Sequence, residues 1–130
     1  MALARQTDAS LVKLLDNVVP PRFTVGATVE AGEIVYLDSS GYVRPANASA
    51  VGTNFPIGIA LQDAAAGERI DVAVAGMRVL CLTGATPGGI IYTSDTAGEP
   101  SHTAGTKTAV VGVAFSATSM LVMPYMVSFS

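Results

Sequence analysis

The 130-residue sequence predicts a mainly β protein, a small β-barrel or sandwich of two pseudo-repeated halves, preceded by an N-terminal arm or short helix. Three observations carry that expectation. Apolar residues alternate with polar or small ones in short runs, as at Ile70, Val72 and Val74 against Asp71 and Ala73, the period of a half-buried strand. Clusters of Gly, Pro, Asp and Ser separate these runs at short intervals. Several words also occur twice, in the same order.

Residues 1–22 stand apart as the arm, and residues 23–130 as one β domain. Leu11, Val12, Leu14, Leu15, Val18 and Val19 recur at spacings of three and four behind an Asp8 or Ser10 cap, and Pro20-Pro21 stops any helix. These residues form either a helix of about two turns, marginal without a surface to lie on, or an extended arm. The surface is the chain's own barrel or a neighbouring subunit. Glu33–Leu37 reads as a strand after the turn Glu30-Ala31-Gly32, and Asp38–Gly41 joins it to Tyr42–Arg44 as a hairpin. Residues 46–54 are small and polar and read as a surface loop. Ile57–Leu61, Ile70–Val74 and Met77–Thr83 supply further strands, with a turn-prone Asp63–Gly67 between the first two. The chain closes on Met120–Val127, where Pro124 cannot donate to a ladder and points to an edge strand or a bulge. In that run Leu121, Met123, Tyr125 and Val127 share one face.

The repeat ties these segments together. Gly26-Ala27-Thr28 returns as Gly84-Ala85-Thr86, and the segment ending in Tyr36 returns as the one ending in Tyr92, 56 positions on. Asp38–Gly41 returns as Asp95–Gly98. Ile57–Leu61 returns as Val111–Phe115, which places Gly58 and Gly112 54 positions apart at matching points of bending or close approach. The Ala64–Glu68 turn has no counterpart of equal length after Phe115.

Composition narrows the function. Charged residues are 13% against a usual share of about 25%, so burial against partner chains is expected. The net charge of −3 and seven scattered basic residues argue against nucleic acid, whose affinity comes from clustered Lys and Arg. No run reaches the ~20 apolar residues of a membrane-spanning helix, and the N-terminus lacks a secretory pattern, so synthesis and retention in a cytoplasm are expected. Cys81 is alone and alternates with Met77 and Val79, as a buried apolar residue does. His102 lies in a loop-like stretch with no orienting partner in view. One His and one Cys cannot build a zinc centre, and no calcium loop is present. Glu33 with Glu68 or Asp71 is the formal pair for carboxylate chemistry, though Glu68 and Asp71 flank a turn where solvated charge is ordinary. Gly84–Gly89 has the glycines of a phosphate loop without its Gly-Lys-Ser/Thr ending. Lys107 lacks the flanking methionines of a lipoyl or biotin carrier. The sequence therefore predicts no enzyme, no catalytic residue, no cofactor and no metal.

The words Ala31–Val35, Pro56–Leu61, Ala64–Glu68 and Val72–Gly76, in that order, resemble those of tailed-bacteriophage capsid decoration (cement) proteins over residues 24–127. The resemblance implies a β domain that assembles as a homo-oligomer, a trimer, on the outer surface of the phage head. There it contacts the major capsid protein and stabilises the lattice. Candidate capsid or subunit contacts are Leu11, Leu14, Leu15 and Val18 in the arm, Ala64, Ala65, Ala66 and Gly67 in the turn, and Met126. The alternative is a glycan- or receptor-binding β module of a phage fibre or tail, which needs exposed aromatics ringed by Asn and Asp.

Overall fold

The computed structural model describes residues 3–50, 53 and 55–126. The N-terminal segment is extended. Ala4–Arg5 (β1), a 3-10 turn at Ala9–Leu11 capped by the Asp8 carboxylate, and Lys13–Leu14 (β2) replace the α-helix that the spacing allowed. The physical reason lies in the backbone partners. Gln6 donates to the Cys81 carbonyl at 2.9 Å and Leu15 to the Arg78 carbonyl at 2.8 Å, so sheet edges satisfy donors that a two-turn helix would hold only weakly. Val12 is buried and Leu14 packs on the core, while Leu11, Leu15 and Val18 stay exposed.

The first half supplies Arg22–Thr24 (β3), Ile34–Leu37 (β4), Val43–Pro45 (β5), Gly58–Ala60 (β6) and Arg69–Ala73 (β7), arranged β3-β7-β6-β4-β5. The second supplies Arg78–Leu80 (β8), Leu82–Thr83 (β9), Ile90–Thr93 (β10), Pro100–Ser101 (β11), Ala109–Ala114 (β12) and Ser119–Met126 (β13). Its six-stranded sheet runs β11-β10-β12-β13-β8-β2, and β1 pairs with β9 in a separate ribbon. Leaving the arm aside, the two orders are the same order. The registers repeat as well. Val35 faces Gly58 as Ile91 faces Gly112, and Ile34 faces Ile59 as Ile90 faces Val113. Turn glycines match too, Gly41 at φ +85° and Gly98 at +78°. Even the shorter second turn keeps its job: Val29 donates to Ala64 in the first half and Ala85 to Ala117 in the second.

The result is a sandwich-like β fold in two halves. The first sheet curls until Val25 bridges Val43, but neither sheet closes into a barrel. One core, including Val25, Val35, Ile70 and Val72, fills the inside of the first sheet. A second core joins the inside of the second sheet (Ile91, Val111, Met120, Val122) to the outside of the first (Ile34, Ile59, Ala73) and to Val12 of the arm.

Two expectations need correction. Residues 46–54 are not simply a surface loop, because Ala46 and Ala48 are fully buried and Ala48 donates to Ser94 while accepting from Lys107; Val51, Gly52 and Asn54 lie outside the described residues. The last strand is not an edge: β13 lies between β12 and β8. Pro124 is accommodated by the bulge instead. Register slips between Val110–Tyr125 and Gly112–Val122, so Met123 and Pro124 together oppose Val111. The edges of this sheet fall on β2, with Lys13, and β11, with Pro100, residues that discourage edge pairing.

The repeated glycines explain why both halves carry the same strand. A Cβ on Gly58 would lie 1.9 Å from the Ala73 carbonyl oxygen, and one on Gly112 would lie 1.9 Å from that of Leu121. No side chain fits between those backbones. We expect Gly58→Ala and Gly112→Ala each to cost at least about 3 kcal/mol. Gly67→Ala, at positive φ but with open space around it, is expected to cost about 1 kcal/mol. Urea unfolding of the three variants measures this ranking, and equal losses would contradict it.

Candidate functional site

The strongest polar cluster is structural and sits where the arm meets both halves. Arg5, only 9% exposed, donates from Nε to Glu99 at 2.8 Å, from Nη2 to Glu30 at 2.8 Å and from Nη1 to the Ala31 carbonyl at 3.1 Å. Glu30 and Ala31 belong to the first half and Glu99 to the second, so one guanidinium links three segments. Burial works against the Arg5 charge, but the Glu99 hydrogen bond and charge outweigh it and hold the pKa above its ordinary value. Nearby, the turn at Gly98 reaches across the halves: Ile34 donates to the Gly98 carbonyl and Gly98 to that of Ala46.

Glu33 lies beside this cluster, where burial pushes its carboxyl pKa up while the Glu30 N–H and Arg5 hold it back. The formal pairing with Glu68 or Asp71 is not what these groups do, in keeping with solvated charge at a turn. Glu68 accepts from Ala65 N–H across its own turn, and Asp71 meets Gln62 and Arg22. Cys81 is fully buried and its thiol is pushed up to about 12 by that burial, far from the thiolate chemistry of a nucleophile. His102 holds two loops together, accepting at Nε2 from Thr86 N–H at 3.0 Å and meeting the Ile90 carbonyl through Nδ1 at 2.9 Å. Among the described residues no group of three or more His, Cys, Asp or Glu is placed to hold a metal, and none forms a helix able to cross a membrane.

What the molecule presents instead is apolar surface. Leu11, Leu15 and Val18 stand out from the arm, and Asp16 between them grips Arg78, accepting from its N–H, Nε and Nη2 at 2.7–2.9 Å. That ion pair holds the Asp16 carboxyl below the usual range, chiefly through the Arg78 side chain. It also fixes the arm beside β8, at the mouth of a depression of about 640 Å³ lined by Val18, Met77 and Leu121. A second groove, of about 380 Å³, is lined by Phe23, Leu37, Phe55, Pro56, Ile57 and Val74. The candidate residues thus divide. Leu11, Leu15, Val18, Ala65, Ala66 and Gly67 are exposed, whereas Leu14 faces the core and Ala64 is buried by its bridge to Val29. Met126 ends β13, and its side chain lies outside the described residues, as does Val127. On the outer side of the six-stranded sheet Ile90, Phe115 and Met123 are exposed; Met123 stood on the apolar face read in the last strand, whereas Ile90 and Phe115 were not singled out from sequence.

We expect Arg5→Ala to cost about 2–3 kcal/mol, somewhat under the loss from a fully buried pair because Glu30 remains solvated. Denaturant midpoints measure it. For Glu33 the sign is the reverse of a paired carboxylate. With its folded pKa raised above the ordinary 4.5, its stabilising contribution is complete below that value and is lost as pH rises through the raised one. Glu33→Gln is therefore expected to be no less stable than the parent at pH 7, with any advantage vanishing towards pH 4. Melting curves across that range that show a constant deficit would contradict this.

A family model described as phage cement protein matches residues 22–120. No curated protein matches the chain.

Proposed function

The chain belongs to the phage cement protein family, and on that premise we propose that it binds the outer surface of the phage head as a homotrimer and stabilises the capsid lattice. The family match, which spans most of the chain, is the observation that carries this reading. The family is a structural one and associates with the virion capsid. The partner in the proposal is the major capsid protein, with neighbouring copies bridged by one oligomer. Each contact can be weak, because linked copies multiply their affinities.

The chemistry of the surface supports such a role. Leu11, Leu15 and Val18 offer apolar side chains on a segment held by sheet hydrogen bonds and by the Asp16–Arg78 pair, so little order remains to be gained on docking. The turn residues Ala65, Ala66 and Gly67 are small and exposed, and suit close approach to a flat protein surface. Leu14 and Ala64, turned inward, play no direct part.

Heads assembled without the protein provide the test. Added protein is expected to co-sediment with them and to raise the temperature at which they release DNA. Leu15→Asp combined with Val18→Asp is expected to weaken binding at least about tenfold, the equivalent of roughly 1.4 kcal/mol. Failure of the parent protein to bind, or binding that leaves the release temperature unchanged, would contradict the proposal.

A further inference from the structure

The turn that leads into β4 returns ahead of β10 with the same backbone bonds. In the first half the Glu33 N–H donates to the Glu30 carbonyl, Gly32 to that of Ala60, and Ala60 to that of Glu33. In the second half Gly89 donates to Thr86, Gly88 to Ala114, and Ala114 to Gly89. Thr86 therefore stands where Glu30 stands, and Gly89 where Glu33 does.

Each turn leaves one N–H for a side chain to take. The Glu30 N–H donates to Oε1 of Glu33 at 2.9 Å, within the turn itself. Gly89 has no side chain to offer. The Thr86 N–H donates instead to Nε2 of His102 at 3.0 Å, a residue brought in from the end of β11. The imidazole occupies the space above the glycine, for a Cβ on Gly89 would lie 2.8 Å from its Cε1. Because Nε2 accepts, the ring proton sits on Nδ1 and goes to the Ile90 carbonyl at 2.9 Å. A half-buried imidazole thus replaces in space the carboxylate that the second turn lacks.

The two acceptors answer acid differently. A protonated carboxyl keeps a carbonyl oxygen, so Glu33 can hold the Glu30 N–H in either form. An imidazolium carries hydrogen on both nitrogens and accepts nothing. Its Nδ1–H keeps the Ile90 carbonyl, while its Nε2–H is turned against the Thr86 N–H. No neighbouring charge offsets this. Residues 84–89 carry no ionisable side chain, and β10 carries only Tyr92, paired with Ser101. Of the charges flanking β11, Glu99 is held by Arg5 and Asp95 by Thr106, and Lys107 is five residues on from the ring. None of the ion pairs among the described residues involves His102.

We propose that His102 is a pH-sensitive clasp on the turn at Thr86, closed while the ring is neutral and released when it is protonated. Imidazole side chains change charge between about pH 5 and 8, so the turn loosens as pH falls through that range. The first turn, clasped by Glu33, does not. The bonds from Ala85 to Ala117 and from Gly88 to Ala114 remain in both states and confine the opening to the Thr86–Pro87 tip. The inference concerns the chain alone and stands apart from the capsid reading.

Amide exchange of the full-length protein, read by NMR at Thr86 and Glu30 against their intrinsic rates, tests it with an internal reference. Protection at Thr86 is expected to fall at least about tenfold between about pH 8 and about pH 5, while protection at Glu30 holds. Nitrogen NMR of the ring is expected to show hydrogen on Nδ1 and a bare Nε2 at the higher pH. The side-chain amide of His102→Gln offers an acceptor and a donor without titrating, and this variant is expected to abolish the pH dependence at Thr86. The two measurements on the parent carry the test even where the variant fails to fold. A ring proton on Nε2 at the higher pH, Thr86 protection that tracks Glu30, or an unchanged pH dependence in folded His102→Gln would overturn the proposal.

Discussion

The close backbone crossings at Gly58 and Gly112 are the constraint on which the rest of the structure depends. At each, a strand passes so near its neighbour that a Cβ would fall within bonding range of a carbonyl oxygen. Glycine weakens a strand elsewhere, through its entropy and its missing side chain. Here it lets the sheet bend hard enough to wrap a small core. The residues on either side then alternate inward and outward in fixed register, Ile59 and Val113 outward, Ala60 and Ala114 inward. Small inward residues, Ala60 and Ala114, suit the tight curve.

Doubling such a unit solves one problem and leaves another. The first half fills its own inside but leaves an apolar outside, and the inside of the second half is filled by that outside and by the arm. The second half covers the outside of the first, and Arg5 with the Gly98 turn locks the joint. The turn shows how one motif is put to two uses. Gly41 has open space around it, while its equivalent Gly98 is buried against Glu33 and the first sheet. Among the described residues the outside of the second half has no such cover, and Ile90, Phe115 and Met123 stay exposed. For a protein of a family that works on capsids, low charge and an uncovered apolar sheet are consistent with an existence spent in contact with other subunits.

Much of this was legible in the sequence because it is written in short-range chemistry. Period-2 alternation located β7, the turn before Glu33 marked β4, recurrent words exposed the two halves and with them β12, and positive-φ turns fell at glycines that follow Ala, Ser, Thr or Pro. The burial of Cys81 also followed from its neighbours. The misses are non-local. The spacing of Leu11 to Val19 left a helix or an extended arm open, and the arm is extended because β8 and β9 offer it partners, a fact of tertiary structure. Arg5 looked like one of seven scattered cations, and only the meeting of three distant segments makes it buried. Pro124 left an edge or a bulge open, and only the partners on both sides decide for the bulge, a one-residue slip opposite Val111 that keeps the strand inside the sheet. The candidate contacts in the arm and turn were drawn from position alone, so Leu14 and Ala64, which face inward, were indistinguishable from Leu15 and Ala65.

For a doubled β unit of the phage cement family, the proposed place on the outer surface of the head is tested most directly by cryo-electron microscopy of heads with and without the protein. The difference density is expected outside the capsid shell, as clustered copies in contact with the major capsid protein. Density confined to the interior of the shell, or no difference density at all, would contradict it.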